Sequence, residues 1–187
     1  MANNCPETTT QKPSGPESPG WYAVYTRYKC EKQVVRDLNS KEINAWVPLR
    51  QKVRRYGARL RVSEIPLIHC YAFVKMQPGE RKRVLQTANV QTFLCNGVDL
   101  IRIPEEEIDW LRRIVGEKSQ VEISRENLCE GMEVEVAEGP LAGIRGKLLH
   151  REGKSRFLVE LTTIGYQLQM AMDKGILRSI KPEPSAV

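Results

Sequence analysis

Histidine is scarce in this 187-residue chain: only His69 and His150 occur. The five cysteines, Cys5, Cys30, Cys70, Cys95 and Cys129, form no C-x-x-C pair, and there is no H-x(3–5)-H. The usual spacing of a zinc site is therefore missing, and neither a metal nor a cofactor is expected. An odd number of scattered cysteines reads as reduced, mostly buried thiols. Gly-rich phosphate loops and nucleophile elbows are also missing. His69 and Cys70 adjoin, but neighbours on a strand point to opposite faces, which places His69 badly as a base for Cys70. His150 lies far along the chain, in a different domain. The sequence reads as a binding protein, not an enzyme, with no catalytic residue. No stretch approaches the roughly 18 consecutive apolar residues of a membrane span, so no membrane partner is expected. The N-terminus, MANNCPETTTQKPSGPESPG, has neither the basic start nor the apolar core of a secretory signal, and the expected location is cytoplasmic. Acid is in deficit: 23 Asp and Glu face 29 Lys and Arg, a formal charge of +6. That balance favours an acidic partner such as nucleic acid.

The hydrophobic share, 41%, is that of a globular chain. Residues 1–19 mix Pro, Ser, Thr and Gly without apolar periodicity and read as a flexible tail. WYAVYT (21–26) reads as a buried strand. Cys30, Val34 and Leu38 then recur every four residues, predicting a helix at about 28–41. NAWVPL (44–49) reads as a strand stopped by Pro48, and RQKVRRYGARLRVSEI as a hairpin turning near Tyr56-Gly57. CYAFVKM (70–76) is β-rich, Gly79–Ala88 a weaker helix, and VQTFLCN (90–96) a further strand. Pro104 opens a last helix with Glu105 to Glu107 in its first turn and Arg112 and Arg113 late, an order that suits the helix dipole. Residues 20–116 therefore read as an α+β sandwich with a mainly antiparallel sheet. Residues 117–129 are polar and read as a linker. Beyond them three period-2 runs, at Met132/Val134/Val136, Phe157/Val159/Leu161 and Leu168/Met170/Met172, predict a small β-barrel over 130–182 before a short tail, 183–187.

The stretch EGMEVEVAEGPLAGIRGKL (130–148) is the most specific local signal. A polar-alternating strand runs into Gly139-Pro140, then Gly143 and Gly146, where glycines supply turn conformations. With Gly131 at its start, this stretch resembles a KOW motif, which implies an SH3-like barrel. WYAVYTRYKCEKQVVRDL (21–38), CYAFVKM (70–76), NVQTFLCNG (89–97) and IPEEEIDWLRRI (103–114) resemble, in order and spacing, the N-terminal domain of NusG and RfaH transcription factors. The resemblance spans about 20–181. His69 and Cys70 stand where the family often has Pro followed by Gly or Asn, which suggests a specialised paralogue similar to the UpxY-type regulators of capsular polysaccharide operons.

The resemblance implies a monomeric elongation or antitermination factor whose N-terminal domain docks on the clamp helices of the largest RNA polymerase subunit. Tyr71 and Phe73, with Phe93 from the next strand, would line that apolar pocket; otherwise all three are core. Arg81, Lys82 and Arg83 would meet the opposite jaw of the polymerase cleft. Cations at a helix start are locally unfavourable, which points outward. Arg27, Tyr28, Lys29, Lys32 and Arg36 would contact the non-template DNA strand, or form a solvated loop and helix face. Arg54 and Arg55 belong to a basic hairpin that either meets phosphate or guards an exposed edge. The KOW domain would bind a small-subunit ribosomal protein or Rho, through Ile144, Phe157 and Ile164 if these are not core. A ribosome- or RNA-associated KOW protein is the rival reading; it accounts for the charge and the barrel but not for the aromatic strand.

Overall fold

The computed structural model describes residues 18–57, 59–116, 121–124, 132–151, 154–172 and 174–180. Residues 1–17 of the tail read at 1–19, the tail at 183–187, Gly131, Cys5 and Cys129 lie outside the described residues.

The chain opens with β1 (Gly20–Thr26), α1 (Glu31–Asn39), β2 (Asn44–Trp46), β3 (Leu49–Tyr56), β4 (Arg59–Pro66) and β5 (Tyr71–Met76). A 3-10 turn at Pro78–Glu80 leads into α2 (Arg81–Leu85) and β6 (Val90–Phe93). Three two-residue strands follow, β7 (Cys95–Asn96), β8 (Asp99–Leu100) and β9 (Arg102–Ile103), and then α3 (Glu105–Gly116). The first sheet runs β2-β5-β1-β6, with β9 also on β1, and every pairing is antiparallel.

Side chains alternate across a strand, so this sheet has two buried faces. Tyr22 and Val24 of β1 and Ala72, Val74 and Met76 of β5 pack with Val34 and Leu38 of α1 and Val84 of α2. Trp21, Ala23, Tyr71 and Phe73 pack on the other side with Ile108, Leu111 and Ile114, the apolar stripe of α3. The result is a mixed α/β fold with mostly antiparallel sheets and few helices.

Local chemistry explains where elements are shorter than their patterns. α1 begins at Glu31, not at 28, because Lys29 sits at φ 63. It stops at Asn39, before Glu42 at φ 62. The strand read at 44–49 breaks at Pro48, which has no N–H to donate; its carbonyl instead accepts from Leu67 N at 2.7 Å. The strand read at 90–96 breaks at Leu94, whose N–H turns to Ala23 O at 2.9 Å. The helix read at 79–88 contracts to the 3-10 turn and the five residues of α2.

The C-terminal part contains β10 (Val121–Ser124), β11 (Met132–Val136), β12 (Arg145–Arg151), β13 (Lys154–Leu161), β14 (Tyr166–Ala171) and β15 (Leu177–Ser179). They form an antiparallel sheet in the order β10-β14-β13-β12-β11-β15. β10 falls inside the stretch read as a linker; Val121 and Ile123 face Met170 and Leu168 and carry a period-2 signal too short to stand out. Val134, Val136, Phe157, Val159, Leu161, Leu168 and Met170 are buried as their alternation predicts. Met132 is 60% exposed, because β15 pairs only from Val134 onward and leaves it uncovered. YQLQMAMDKGIL is strand through Ala171 and a 3-10 turn at Lys174–Ile176. Among the described residues no helix is long and apolar enough to cross a membrane.

Candidate functional site

Tyr71 and Phe73 stand two residues apart on β5 and share one face of the sheet. Tyr25 lies opposite Tyr71, with ring centroids 4.4 Å apart, and the Tyr71 hydroxyl donates to that of Tyr25. Trp46 lies opposite Phe73 at 6.0 Å. The period-2 series Trp21, Ala23, Tyr25 in the sequence already places Tyr25 on this face, although resemblance alone had not singled it out. Phe93 does not join it. It pairs with Val24 and packs in the layer beneath α1 and α2, while its neighbour Leu94 turns to the Tyr71 side. Strand register decides this, and register is not written in a short apolar run.

The aromatic face is covered. Tyr71 and Phe73 are 2% and 0% exposed, in one apolar cluster with Ile144, Phe157 and Ile164 of the C-terminal sheet. Tyr166 of β14 meets Tyr71 edge to face, at 5.8 Å and 87°. Polar contacts tie the same two parts together. Glu107 of α3 is buried, and its Oε1 accepts from Thr162 Oγ1 at 3.2 Å, Thr163 N at 3.2 Å and Thr163 Oγ1 at 2.7 Å. Arg113 donates from Nε to Pro140 O at 2.8 Å and from Nη2 to Ala142 O. Arg50 donates to Val121 O at 3.0 Å. The loop grasped by Arg113 is the Gly-rich turn, with Gly139 at φ 86 and Gly143 at φ 83. At Gly146, a Cβ would lie 2.2 Å from Leu158 O and 2.9 Å from the Phe157 ring, so only glycine lets β12 and β13 approach so closely.

The cations read as nucleic-acid contacts fall into separate groups. Arg27, Tyr28 and Lys29 form an exposed loop, with Lys29 Nζ 5.1 Å above the Tyr28 ring and His69 6.2 Å from it. Lys32 pairs with Glu64 at 3.5 Å, and Arg36 is exposed on α1. Arg81 and Lys82 are exposed on α2, whereas Arg83 pairs with Glu80 at 3.2 Å and donates to Lys41 O at 2.8 Å. In a five-residue helix the first and last turns coincide, so cations there are not opposed by the dipole as in a long helix. Arg54 and Arg55, adjacent on β3, point to opposite faces of the β3–β4 hairpin.

His69 and Cys70 end the turn before β5. Cys70 sits at φ 62 and its N–H donates to Oε1 of buried Glu31 at 2.7 Å, which ties the start of α1 to the turn. Burial, helped by the Glu31 charge, pushes the Cys70 thiol up, the wrong direction for a nucleophile. Hydrogen bonds from Lys75, at 3.0 Å, and from Trp21 Nε1, at 3.1 Å, hold the Glu105 carboxyl low. Among the described residues no His, Cys, Asp and Glu cluster could hold a metal ion.

Residues 19–112, just over half of the 187, match the family described as transcription termination factor nusG. The chain belongs to the NusG family. Among solved structures it is similar to one titled "Domain interaction in Thermotoga maritima NusG", at 20% identity and a TM-score of 0.56, covering 89% of this chain and 100% of that one. Two conformations of the MjSpt4:Spt5 complex match at 15% identity and a TM-score of 0.31; conformation A covers 87% of this chain and 99% of that one, and conformation B 88% and 99%. No curated protein matches. The NusG match runs from just before β1 into α3, so it includes the aromatic face and stops short of the sheet that covers it.

Proposed function

We propose that this NusG-family chain is a cytoplasmic transcription elongation or antitermination factor that binds RNA polymerase and is not an enzyme. Its docking surface is the aromatic face of Tyr71 and Phe73, completed by Tyr25 and Trp46, and the occupant is the apolar side of the clamp helices. Phe93, in the other layer, is not part of that surface. Arg81 and Lys82 extend the contact to the opposite jaw, and Arg27, Tyr28 and Lys29 meet the non-template strand. The C-terminal sheet, with Gly139, Pro140, Gly143 and Gly146 at its turns, acts as an SH3-like KOW barrel for a ribosomal protein or Rho. Ile144, Phe157 and Ile164 are buried and do not supply that second face as the chain stands. His69 and left-handed Cys70, in place of Pro and Gly or Asn, favour a specialised, UpxY-like member serving particular operons.

The observation that carries this reading is the contact of Tyr166 with Tyr71. An apolar, aromatic face made to bind a helix is occupied by the chain's own C-terminal sheet, so polymerase binding requires the sheet to leave. Binding energy is then reduced by whatever free energy holds the sheet in place. Capture of RNA polymerase from nuclease-treated extract tests it. Wild type should recover polymerase weakly, and Glu107→Ala, which loosens the sheet, should recover several-fold more. Recovery of ribosomes alone, by both forms, would remove the polymerase reading and favour a ribosome- or RNA-associated KOW protein.

A further inference from the structure

β10 (Val121–Ser124) stands at the end of the C-terminal sheet, and among the described residues only β14 pairs with it. It can therefore leave without breaking another pairing, and β14-β13-β12-β11-β15 remain joined. Both parts of the chain hold it. Four residue pairs, from Val121↔Met170 to Ser124↔Gln167, join it to the C-terminal sheet. From the N-terminal part Arg50, at the root of the β3–β4 hairpin, donates from Nη1 to Val121 O at 3.0 Å. Val121 is buried and Ile123 half-buried in the apolar cluster that contains Tyr71 and Phe73. The hold by Arg50 is incomplete, because its Nε is buried without a partner. A buried donor left unsatisfied offsets part of what the neighbouring bond contributes.

The position of β10 along the chain sets how far the two parts can separate. α3 ends at Gly116, and Val121 follows five residues later (121 less 116). An extended chain covers at most about 3.6 Å per residue, so the sheet, with β10 in place, stays within roughly 18 Å of the end of α3. α3 packs on the same face as Tyr71 and Phe73, through Ile108, Leu111 and Ile114. β14 carries Tyr166, the residue that covers Tyr71, so the covering strand is the very one that β10 keeps on this short tether. A helix with its side chains is about 10–12 Å across. One helix fills most of the available reach, and a pair of helices exceeds it. If β10 separates from β14, the next attachment is β11, which begins at Met132, sixteen residues after Gly116 (132 less 116). The reach then rises to roughly 55 Å at most.

We propose that β10 is a strap that governs release of the C-terminal sheet. Paired with β14, it withholds the chain length the sheet needs to clear the Tyr71/Phe73 face. Its separation from β14 precedes docking of a helical partner there. β10 bears on RNA polymerase through the docking surface proposed for that face, so a readout without polymerase keeps the two claims apart.

Glu122 and Gln169 lie directly opposite each other, and opposite residues of an antiparallel pair stand within the Cα separation of a disulfide. The test chain carries Glu107→Ala, Glu122→Cys and Gln169→Cys and is either oxidised with diamide or reduced with dithiothreitol. Glu107→Ala alone, treated identically, controls for the native thiols. The oxidised chain should capture RNA polymerase from nuclease-treated extract on the order of 10-fold less than the reduced chain. An insertion of about eleven Gly and Ser residues after Gly116 gives the locked chain the reach of the unstrapped one and should restore capture. Equal capture by the two forms, or a loss that the insertion does not repair, would overturn the strap and leave polymerase binding in place. Hydrogen exchange on β5 reads the strap without polymerase. The oxidised chain should exchange several-fold more slowly than the reduced one, and the insertion should cancel the difference. Equal exchange in the two forms would also overturn the strap. Exchange that follows the strap in chains that capture no polymerase would uphold it and remove the polymerase reading instead.

Discussion

Glu107 on α3 and Thr163 in the turn before β14 are joined by two hydrogen bonds to a single carboxylate oxygen, from the threonine N–H at 3.2 Å and its hydroxyl at 2.7 Å. Thr162 adds a third, while the other oxygen, Oε2, is buried without a partner. A buried carboxylate so arranged positions the two parts strongly but leaves part of its own desolvation uncompensated.

Removing that carboxylate should therefore open the chain without unfolding it. Glu107→Ala strands the Thr163 N–H and should destabilise the docked arrangement by about 1–3 kcal/mol. Glu107→Gln keeps one acceptor and should be milder. Both should increase the exposure of Tyr71 to solvent, read by hydrogen exchange on β5. Unchanged exchange in the alanine variant would show that apolar contact alone holds the sheet.

Two glycines of the same sheet should respond differently to alanine. At Gly146 a Cβ would lie 2.2 Å from Leu158 O, a backbone atom that cannot step aside, and against the fully buried Phe157 ring. Gly146→Ala should cost about 3 kcal/mol or more and remove the cooperative unfolding of the C-terminal sheet. Gly139 has open space around it and only its φ of 86 to object. Gly139→Ala should cost about 1–2 kcal/mol and leave the sheet folded. Urea denaturation of the two variants side by side distinguishes steric from conformational need.

Much of this was legible in the sequence, and what was not has identifiable causes. β1, β5 and α3 announce themselves because period, composition and end signals agree over six or more residues. The Gly-rich turn was legible for the same reason. The opposite facing of Phe93 and Leu94 was not, since either register buries an apolar residue. Nor was the covering of Tyr71 by Tyr166, which joins two apolar surfaces 95 residues apart (166 less 71), each already satisfied by a core reading. Positive φ at Lys29 and Cys70 carried no signal either, because neither residue type advertises the left-handed conformation.

Cys70 offers the last test, and it bears on stability and chemistry together. A non-glycine residue at φ 62 is held there by its surroundings, here the Glu31 carboxylate that accepts its N–H. Asparagine tolerates that conformation better than cysteine, and Cys70→Asn keeps the backbone donor. It should raise stability by about 0.5–1 kcal/mol, seen as a higher urea midpoint at unchanged slope. The thiol of the wild type is pushed above its ordinary value by burial and by Glu31, so the protein binds that proton more tightly folded than unfolded. Its contribution to stability is therefore present below the ordinary thiol pKa and is lost as pH rises through the raised one. Alkylation at pH 8 should accordingly be slower at Cys70 than at a free thiol. Labelling faster than that of free cysteine would contradict the raised value and reopen the question of a reactive centre at this turn.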